Sequence, residues 1–251
     1  MDLRNKKAFV TGGSGDIGGA IARALAAAGA DVAISYLGQV DRASATVEAI
    51  QAAGSRSLAV QLDQRDPAAI DVAVGRLSEG FGEVEILVNN AAWNIGISFS
   101  DLNQLNSEIW DRVLETNLRG PYLLARALAP QLSAHGTGRI INIASVGGIF
   151  PGSSSIAYSA SKAALIHLTR CLAVALAPDV TVNCIAPGLV EETRMGKRLP
   201  DEIVQSVKNQ VVLGRTASTQ DIARQVITYC QSDSVTGQLM VIDGGMPGCM
   251  Y

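Results

Sequence analysis

The sequence is poor in the residues that build metal and redox sites. It has two histidines and four cysteines among 251 residues. The cysteines are Cys171, Cys184, Cys230 and Cys249. Their spacing matches no zinc-binding or redox pattern, and neither histidine stands in a cluster of possible ligands. We therefore expect no catalytic metal ion, and we expect free thiols in a reducing, cytoplasmic environment.

Long apolar runs and a surplus of positive charge are also absent. The chain is 48% hydrophobic, but polar or charged residues interrupt every apolar stretch before the roughly 18 residues that a membrane span needs. Residues 1–7 show no secretory signal. The net charge of -3 gives no reason to expect a nucleic-acid partner. We expect a cytoplasmic protein with neither a membrane nor a nucleic-acid partner.

The sequence instead alternates short β-branched runs with longer amphipathic segments. The runs predict strands over 8–10, 32–36, 57–62, 86–88, 139–144, 180–185 and 239–242. The segments predict helices over 17–28, 42–53, 67–79, 107–134, 156–177 and 220–231, the fourth kinked at Gly120-Pro121. Strands that are apolar on both faces and separated by helices belong to a parallel sheet covered on both sides. We predict one α/β domain over 1–251, a Rossmann-type, doubly wound sheet of about seven parallel strands.

A glycine-rich turn joins the first predicted strand to the first predicted helix. It reads Thr-Gly-Gly-Ser-Gly-Asp-Ile-Gly-Gly over residues 11–19. Glycines let a backbone approach a pyrophosphate, and a helix N-terminus offers amide donors and a positive dipole end. We interpret the turn as a dinucleotide-binding loop, although a tight turn without a ligand could have the same composition.

Tyr158 and Lys162 lie four residues apart on one face of a predicted helix. A free phenol titrates near ~10, and a nearby ammonium lowers that pKa. A phenol tuned in this way can exchange a proton with a carbonyl or alcohol oxygen. The pair alone is common on helix surfaces, but Ser145 ends the preceding strand at the sheet edge where ligands bind. Its hydroxyl can donate to a substrate oxygen as charge develops there.

Together these motifs resemble the short-chain dehydrogenase/reductase family, and within it the 3-oxoacyl-reductase-like group. The resemblance covers essentially the whole chain, and it implies a catalytic set of Asn117, Ser145, Tyr158 and Lys162. It further implies that Asn117 helps to hold a water linking Lys162 to solvent. Without the resemblance, Asn117 would be interpreted as a satisfied buried amide.

The resemblance also implies a set of cofactor-binding residues. These are Gly12, Ser14, Gly15, Asp16, Ile17, Gly18, Tyr36, Asp63, Asn90, Tyr158, Lys162, Pro187, Gly188, Val190 and Thr193. In the family, the position of Asp63 contacts adenine, and the stretch from Pro187 to Thr193 grips the nicotinamide carboxamide. The sequence departs from the family pattern in three places: Asp16 and Ala92 replace glycines, and Thr193 lies one residue late. An aspartate beside a pyrophosphate is unfavourable unless it caps the helix amides or reaches a ribose hydroxyl.

The second predicted strand ends at Tyr36, where an NAD-binding protein would carry an acid for the ribose hydroxyls. The absence of that acid permits NADP, and Arg42 is the nearest basic candidate for its 2′-phosphate, although it could equally be a solvated helix residue. We favour NADP over NAD.

Five residues are expected to line a substrate pocket for a modest, partly apolar carbonyl or alcohol: Trp93, Asn94, Phe150, Leu189 and Met195. Residues 189–213 resemble the family's substrate lid. The long helices near 107–134 and 156–177 are apolar around much of their surface, so we expect a homotetramer or homodimer.

Three other functions remain open at this point. One is a cofactor-binding regulatory protein without turnover, and a second is a dehydrogenase acting on a sugar, polyol or cyclic alcohol. The third, a sugar-nucleotide epimerase or dehydratase, usually has a further C-terminal domain.

Overall fold

A computed structural model describes residues 1–249 of the chain, so Met250 and Tyr251, the end of the predicted domain, lie outside the described residues. Seven parallel strands form one sheet in the order β3-β2-β1-β4-β5-β6-β7. They are β1 (Lys7–Val10), β2 (Asp31–Tyr36), β3 (Ser57–Gln61), β4 (Ile86–Asn89), β5 (Gly138–Ile143), β6 (Val180–Pro187) and β7 (Leu239–Ile242). The Rossmann-type sheet predicted from the sequence is confirmed.

Helices cover both faces of the sheet. They are α1 (Asp16–Ala27), α2 (Val40–Ala52), α3 (Pro67–Gly80), α4 (Ser107–Leu114), α5 (Gly120–Ser133), α6 (Ile156–Ala175), α7 (Asp201–Gln210) and α8 (Thr219–Gln231). One core cluster lies on the α1 and α8 side and includes Ile21, Leu25 and Val226. The other lies under α3 and α5 and includes Leu77 and Leu124. The central strands β4 and β5 are buried on both faces, which explains the apolar runs 86–88 and 140–141 within them.

The sheet order reverses next to β1, which lies between β2 and β4. Ligands of doubly wound folds bind outside the carboxyl ends of the strands at such a switch point. The glycine-rich turn after β1 and the loop after β4 therefore share one crevice.

The long helix predicted over 107–134 is interrupted differently from our expectation. A π-helical segment, Glu115–Arg119, separates α4 from α5, so the distortion precedes Gly120 and Pro121. Gly120 donates its amide to the Glu115 carbonyl, and Pro121 has no amide hydrogen. The Thr116 carbonyl is left without a helical donor, and it accepts a hydrogen bond of 2.6 Å from Gln64 Nε2 instead.

Helix α7 was missed by the sequence analysis, which predicted no helix between residues 177 and 220. None of its residues is buried, and only Ile203, Val204 and Val207 among its ten residues are apolar, so its apolar face is short and its sequence is polar overall. Pro200 followed by Asp201 and Glu202 was the available signal, because proline and acidic residues favour a helix start.

None of the described helices is long and apolar enough to cross a membrane. Within residues 1–249, no three histidine, cysteine, aspartate or glutamate side chains lie close enough together to hold a metal ion.

Candidate active site

Thr11 and Asn90 join the glycine-rich turn to the end of β4. The Thr11 hydroxyl oxygen accepts hydrogen bonds from the amides of Asn90 and Ala91, each at 2.9 Å. Asn90 Nδ2 donates back to the Thr11 carbonyl at 2.9 Å. The two loops are thereby fixed against each other across the switch point.

Gly12 and Gly18 allow the turn to pack this tightly. Gly12 has φ of +66°, which favours glycine, and a Cβ there would lie 3.0 Å from Ala91 Cα. A Cβ on Gly18 would overlap the Gly12 carbonyl and lie 2.5 Å from Asn90 Nδ2. Both positions therefore require glycine for a steric reason.

The start of α1 fits an anionic group. Its N-cap is Gly15, which has no side chain to accept from the amides of the first turn. Ser14, Gly15, Asp16 and Ile17 are all partly exposed. Free amide donors, a positive dipole end and a close-lying backbone suit a pyrophosphate.

Asp16 neither caps the helix amides nor stands free to meet a ribose, the two possibilities considered from the sequence. One of its carboxylate oxygens accepts from Arg42 Nη2 at 2.6 Å, and the other accepts from the Arg194 backbone amide at 2.9 Å. Partial burial raises the pKa of Asp16, but the hydrogen bonds from Arg194 and Arg42 outweigh it and lower the pKa overall. The carboxylate is thus charged and paired with two arginines.

Tyr36 ends β2 and Asp63 follows β3 at the same edge of the sheet, and both are partly exposed. Arg65 contacts both oxygens of the Asp63 carboxylate, with Nε at 3.0 Å from Oδ1 and Nη2 at 2.6 Å from Oδ2. That hydrogen bond is the main cause of the lowered pKa of Asp63.

Tyr158, Ser145 and Lys162 converge at the carboxyl ends of β5 and β6. Tyr158 and Lys162 lie on α6 and are both buried, and the Lys162 ammonium is 5.7 Å from the centre of the Tyr158 ring. Lys162 Nζ donates to the Ile143 carbonyl at 2.8 Å. Ser145 lies two residues after β5, near enough to Tyr158 that its side chain opposes the rise in the pKa of the phenol.

Burial dominates the ionisation of this cluster. It raises the pKa of Tyr158 above 10, against the lowering effect of the Ser145 side chain. Burial also lowers the pKa of Lys162 to about 8. The direction for Tyr158 is opposite to the one that we expected from the lysine alone, because the loss of solvent around a phenolate outweighs the effect of Ser145.

Asn117 lies in the π-helical segment and is fully buried. Its Oδ1 accepts from the Trp93 amide at 2.8 Å, and its Nδ2 donates to the Trp93 carbonyl at 2.9 Å and to Ser161 Oγ at 3.2 Å. The side chain therefore fixes the loop after β4 against α6. Pro121, four residues on, lacks the amide that would donate to the Asn117 carbonyl in an α-helix.

The loop after β6 lies beside the last strand. The Gly188 amide donates to the Ile242 carbonyl at 2.8 Å, and a Cβ on Gly188 would lie 2.6 Å from Asp243 Cβ. Pro187, Val190 and Thr193 are buried. Thr193 Oγ1 donates to the Val190 carbonyl at 2.7 Å and accepts from the Gly196 amide, so its hydroxyl supports the loop.

The family model for short chain dehydrogenases matches residues 6–203. The 3-oxoacyl-[acyl-carrier-protein] reductase of Staphylococcus epidermidis is 36% identical over 247 residues, covering 96% of this chain and 99% of the relative. The chain belongs to the short-chain dehydrogenase/reductase family. It falls in the 3-oxoacyl-reductase-like group and is an NAD(P)-dependent oxidoreductase.

Two other members of the family are similar to this chain over nearly its whole length. A short chain dehydrogenase from Burkholderia cenocepacia, solved in complex with NADP, superposes with a TM-score of 0.89 at 37% identity, covering 98% of this chain and 100% of that one. A dehydrogenase subunit of Thauera aromatica named for (2S)-[(R)-hydroxy(phenyl)methyl]succinyl-CoA is 34% identical, covering 98% of both chains.

In the present chain, three of the five predicted substrate-pocket residues contact other residues of the candidate site. Trp93 packs in one apolar cluster with Tyr158. Asn94 Nδ2 lies 3.3 Å from Met195 Sδ and 3.0 Å from Ser154 Oγ, so it joins the loop after β4 to segment 189–213. Phe150 is 52% exposed and lies near Gly248, and Leu189 is partly buried.

Gln64, Arg112 and Arg194 are site residues that the sequence analysis missed. Gln64 Nε2 donates to the carbonyls of Ala91 and Thr116 and so connects the ends of β3 and β4 with the π-helical segment. The Arg112 guanidinium lies 4.2 Å from the centre of the Trp93 ring, a cation–π contact. No local sequence pattern predicts these contacts, because each contact partner lies at least 19 residues away along the chain.

Proposed function

We propose that this oxidoreductase interconverts a carbonyl and an alcohol by hydride transfer, with Tyr158 as the general acid/base. The observation that carries the proposal is the buried cluster in which the Tyr158 side chain meets Ser145 with the Lys162 ammonium 5.7 Å from its ring. A bound nicotinamide would supply or accept the hydride. In the reducing direction, Tyr158 gives its proton to the carbonyl oxygen, and Ser145 donates a hydrogen bond to that oxygen as negative charge develops.

Lys162 and Asn117 support this proton transfer. A protonated Lys162 stabilises the phenolate left on Tyr158, because opposite charges in a buried site interact strongly. Asn117 fixes the loop and helix on either side of the cluster, and its carbonyl is the proposed holder of a water that links Lys162 to solvent. These four residues are the proposed catalytic set.

The cofactor is proposed to bind from the glycine-rich turn to segment 189–213. Gly12, Gly15 and Gly18 admit the pyrophosphate. Asp63 and Asn90 lie towards the adenosine side, and the backbone near Val190 lies towards the nicotinamide. We favour NADP over NAD because β2 ends at Tyr36 without an acid, and because the related Burkholderia cenocepacia structure contains NADP.

The substrate is proposed to be a modest, partly apolar carbonyl or alcohol in a pocket formed by Trp93, Asn94, Phe150, Leu189 and Met195. Segment 189–213 is the proposed lid. Helix α7 within it has no buried residue, which is expected of an element that moves relative to the core.

A homodimer, or a tetramer of two dimers, is proposed from the outer surface of α4, α5 and α6. A groove there is lined by four apolar residues, Leu114, Leu118, Tyr122 and Leu168. A second copy of the chain would cover it, since apolar faces of this kind are the usual contact in homo-oligomers. The last strand, β7, lies at the sheet edge and is only half buried, which offers a second contact.

The proposal is tested by screening NAD and NADP in both redox states against a library of carbonyls and alcohols. Wild-type protein should change nicotinamide absorbance with at least one pair, and Tyr158→Phe should lower kcat by about 1,000-fold or more while the cofactor still binds. Full turnover by Tyr158→Phe would overturn the mechanism. Tight cofactor binding without turnover on any substrate would favour a regulatory protein.

A further inference from the structure

Asp16 connects three parts of the crevice that are far apart in the sequence. It opens α1 directly after the glycine-rich turn, Arg42 lies in the first turn of α2, and Arg194 lies in segment 189–213. Arg42 Nη2 is 2.6 Å from one carboxylate oxygen of Asp16. The Arg194 amide is 2.9 Å from the other, with Arg194 Nε at 3.5 Å.

Gln39 completes this cluster on the side of β2. Its Oε1 accepts from Arg194 Nη1 at 2.9 Å. Arg194 is therefore tied both to the turn after β1 and to the loop after β2. The next residue, Met195, contacts Asn94 on the substrate side of the crevice, so segment 189–213 is attached on both sides at consecutive positions.

The position of Arg42 gives the cluster a relation to the cofactor. The ribose 2′ substituent of a dinucleotide lies beside the carboxyl end of β2 in this kind of fold. Arg42 is the basic residue of the adjoining helix start, and its side chain is 38% exposed. In the structure its charge is already paired with Asp16, so a 2′-phosphate would have to compete with a carboxylate for the same guanidinium.

We propose that Asp16 is a specificity-determining residue: by holding Arg42, its carboxylate weakens the preference for NADP. The same carboxylate attaches the lid to this edge of the crevice through Arg194. This inference rests on the proposed cofactor-dependent function. A 2′-phosphate takes Arg42 from Asp16, whereas NAD leaves the contacts of Asp16 unchanged. The carboxylate thus costs binding free energy only when the 2′-phosphate is present.

The test compares cofactor binding by wild-type protein and Asp16→Asn, measured by calorimetry without substrate. The amide keeps the shape of the side chain and removes its charge. We expect the ratio of the Kd for NAD to the Kd for NADP to rise about fivefold or more, because Arg42 is released for the phosphate. The control is Asp41→Asn, which makes the same change of charge at an exposed position one residue from Arg42. In this variant the ratio of the Kd for NAD to the Kd for NADP should change by less than half of the change in Asp16→Asn.

A second measurement examines the lid without any cofactor. Limited digestion with trypsin should cleave after Lys197 or Arg198 several times faster in Asp16→Ala than in wild-type protein, because the carboxylate that holds the Arg194 amide is gone. Asp41→Ala should be cleaved at the wild-type rate.

The outcomes separate this inference from the proposed function. Failure of wild-type protein to bind either cofactor would overturn both. Binding by the wild type, with equal changes for NAD and NADP in Asp16→Asn or with unchanged digestion in Asp16→Ala, would overturn the role of Asp16 and leave the proposed function standing.

Discussion

The ammonium of Lys162 lies 2.8 Å from the carbonyl oxygen of Ile143, inside the protein at the end of β5. The lysine is 2% exposed, and burial lowers its pKa from 10.5 to about 8. A cation in this position costs folding free energy, which is consistent with a residue kept for chemistry rather than for stability.

We therefore expect Lys162→Met to lose activity without losing stability. At pH 7 its free energy of unfolding should equal or exceed that of wild-type protein, because an apolar residue replaces a buried charge. Wild-type protein binds fewer protons folded than unfolded between about pH 8 and 10.5, so its stability relative to the variant should rise with pH in that window.

Urea denaturation of both proteins at pH 7 and pH 10 checks this prediction. The difference in the free energy of unfolding between Lys162→Met and wild type should shrink as the pH rises. A variant that is less stable at pH 7, or a difference that does not change with pH, would contradict it.

Asn117→Ala should destabilise the protein strongly. The substitution leaves the amide and carbonyl of Trp93 without their partner, at about 1–3 kcal/mol for each buried group. Denaturation in urea should thus show a loss of about 2–6 kcal/mol. Asn106→Ala is the matched control, because it removes an exposed N-cap of α4 and should cost only about 1 kcal/mol. Equal losses in the two variants would contradict the assigned role of Asn117.

Gly18→Ala should impair cofactor binding. Its new Cβ would overlap the Gly12 carbonyl and press on Asn90, so the turn has to open and the Kd for the cofactor should rise about tenfold or more. Gly38→Ala is the control, since a Cβ there meets nothing within 4 Å. Calorimetric titration of both variants with NADP distinguishes them. An unchanged Kd for Gly18→Ala would contradict the proposal that the glycine-rich turn binds the cofactor.

Tyr122→Glu should dissociate the proposed oligomer. It places a charge in the apolar groove of α4, α5 and α6, beside Asp111 and Glu115. Burial of an unpaired carboxylate in an interface is unfavourable, so sedimentation at micromolar concentration should show a smaller species than wild type. Val72→Glu, on an exposed apolar residue of α3, should leave the oligomer intact. A wild-type protein that sediments as a monomer would overturn the oligomer itself.

The sequence predicted the sheet well because parallel strands buried on both faces are mostly apolar and β-branched, and such residues dominate 86–88 and 139–144 without any structure. It predicted less well where an element lacks a buried face, as in α7. The sequence also predicted the distortion of the long helix at Gly120-Pro121, whereas the π-helical segment lies just before these residues. The proline affects earlier residues because its missing amide would have bonded to a carbonyl several positions back.

At the site, the residue types and their order along the chain could be predicted from local patterns. The glycine-rich turn, Ser145 after β5 and the spacing of Tyr158 and Lys162 follow from strand ends and helical periodicity, which are local properties. The ionisation and pairing of those groups depend on the tertiary fold. Burial, which depends on packing from every side, raises the pKa of Tyr158 and lowers that of Lys162. The pairing of Asp16 with Arg194, 178 residues away, is also decided by the fold, because no local pattern records which distant side chain a carboxylate meets.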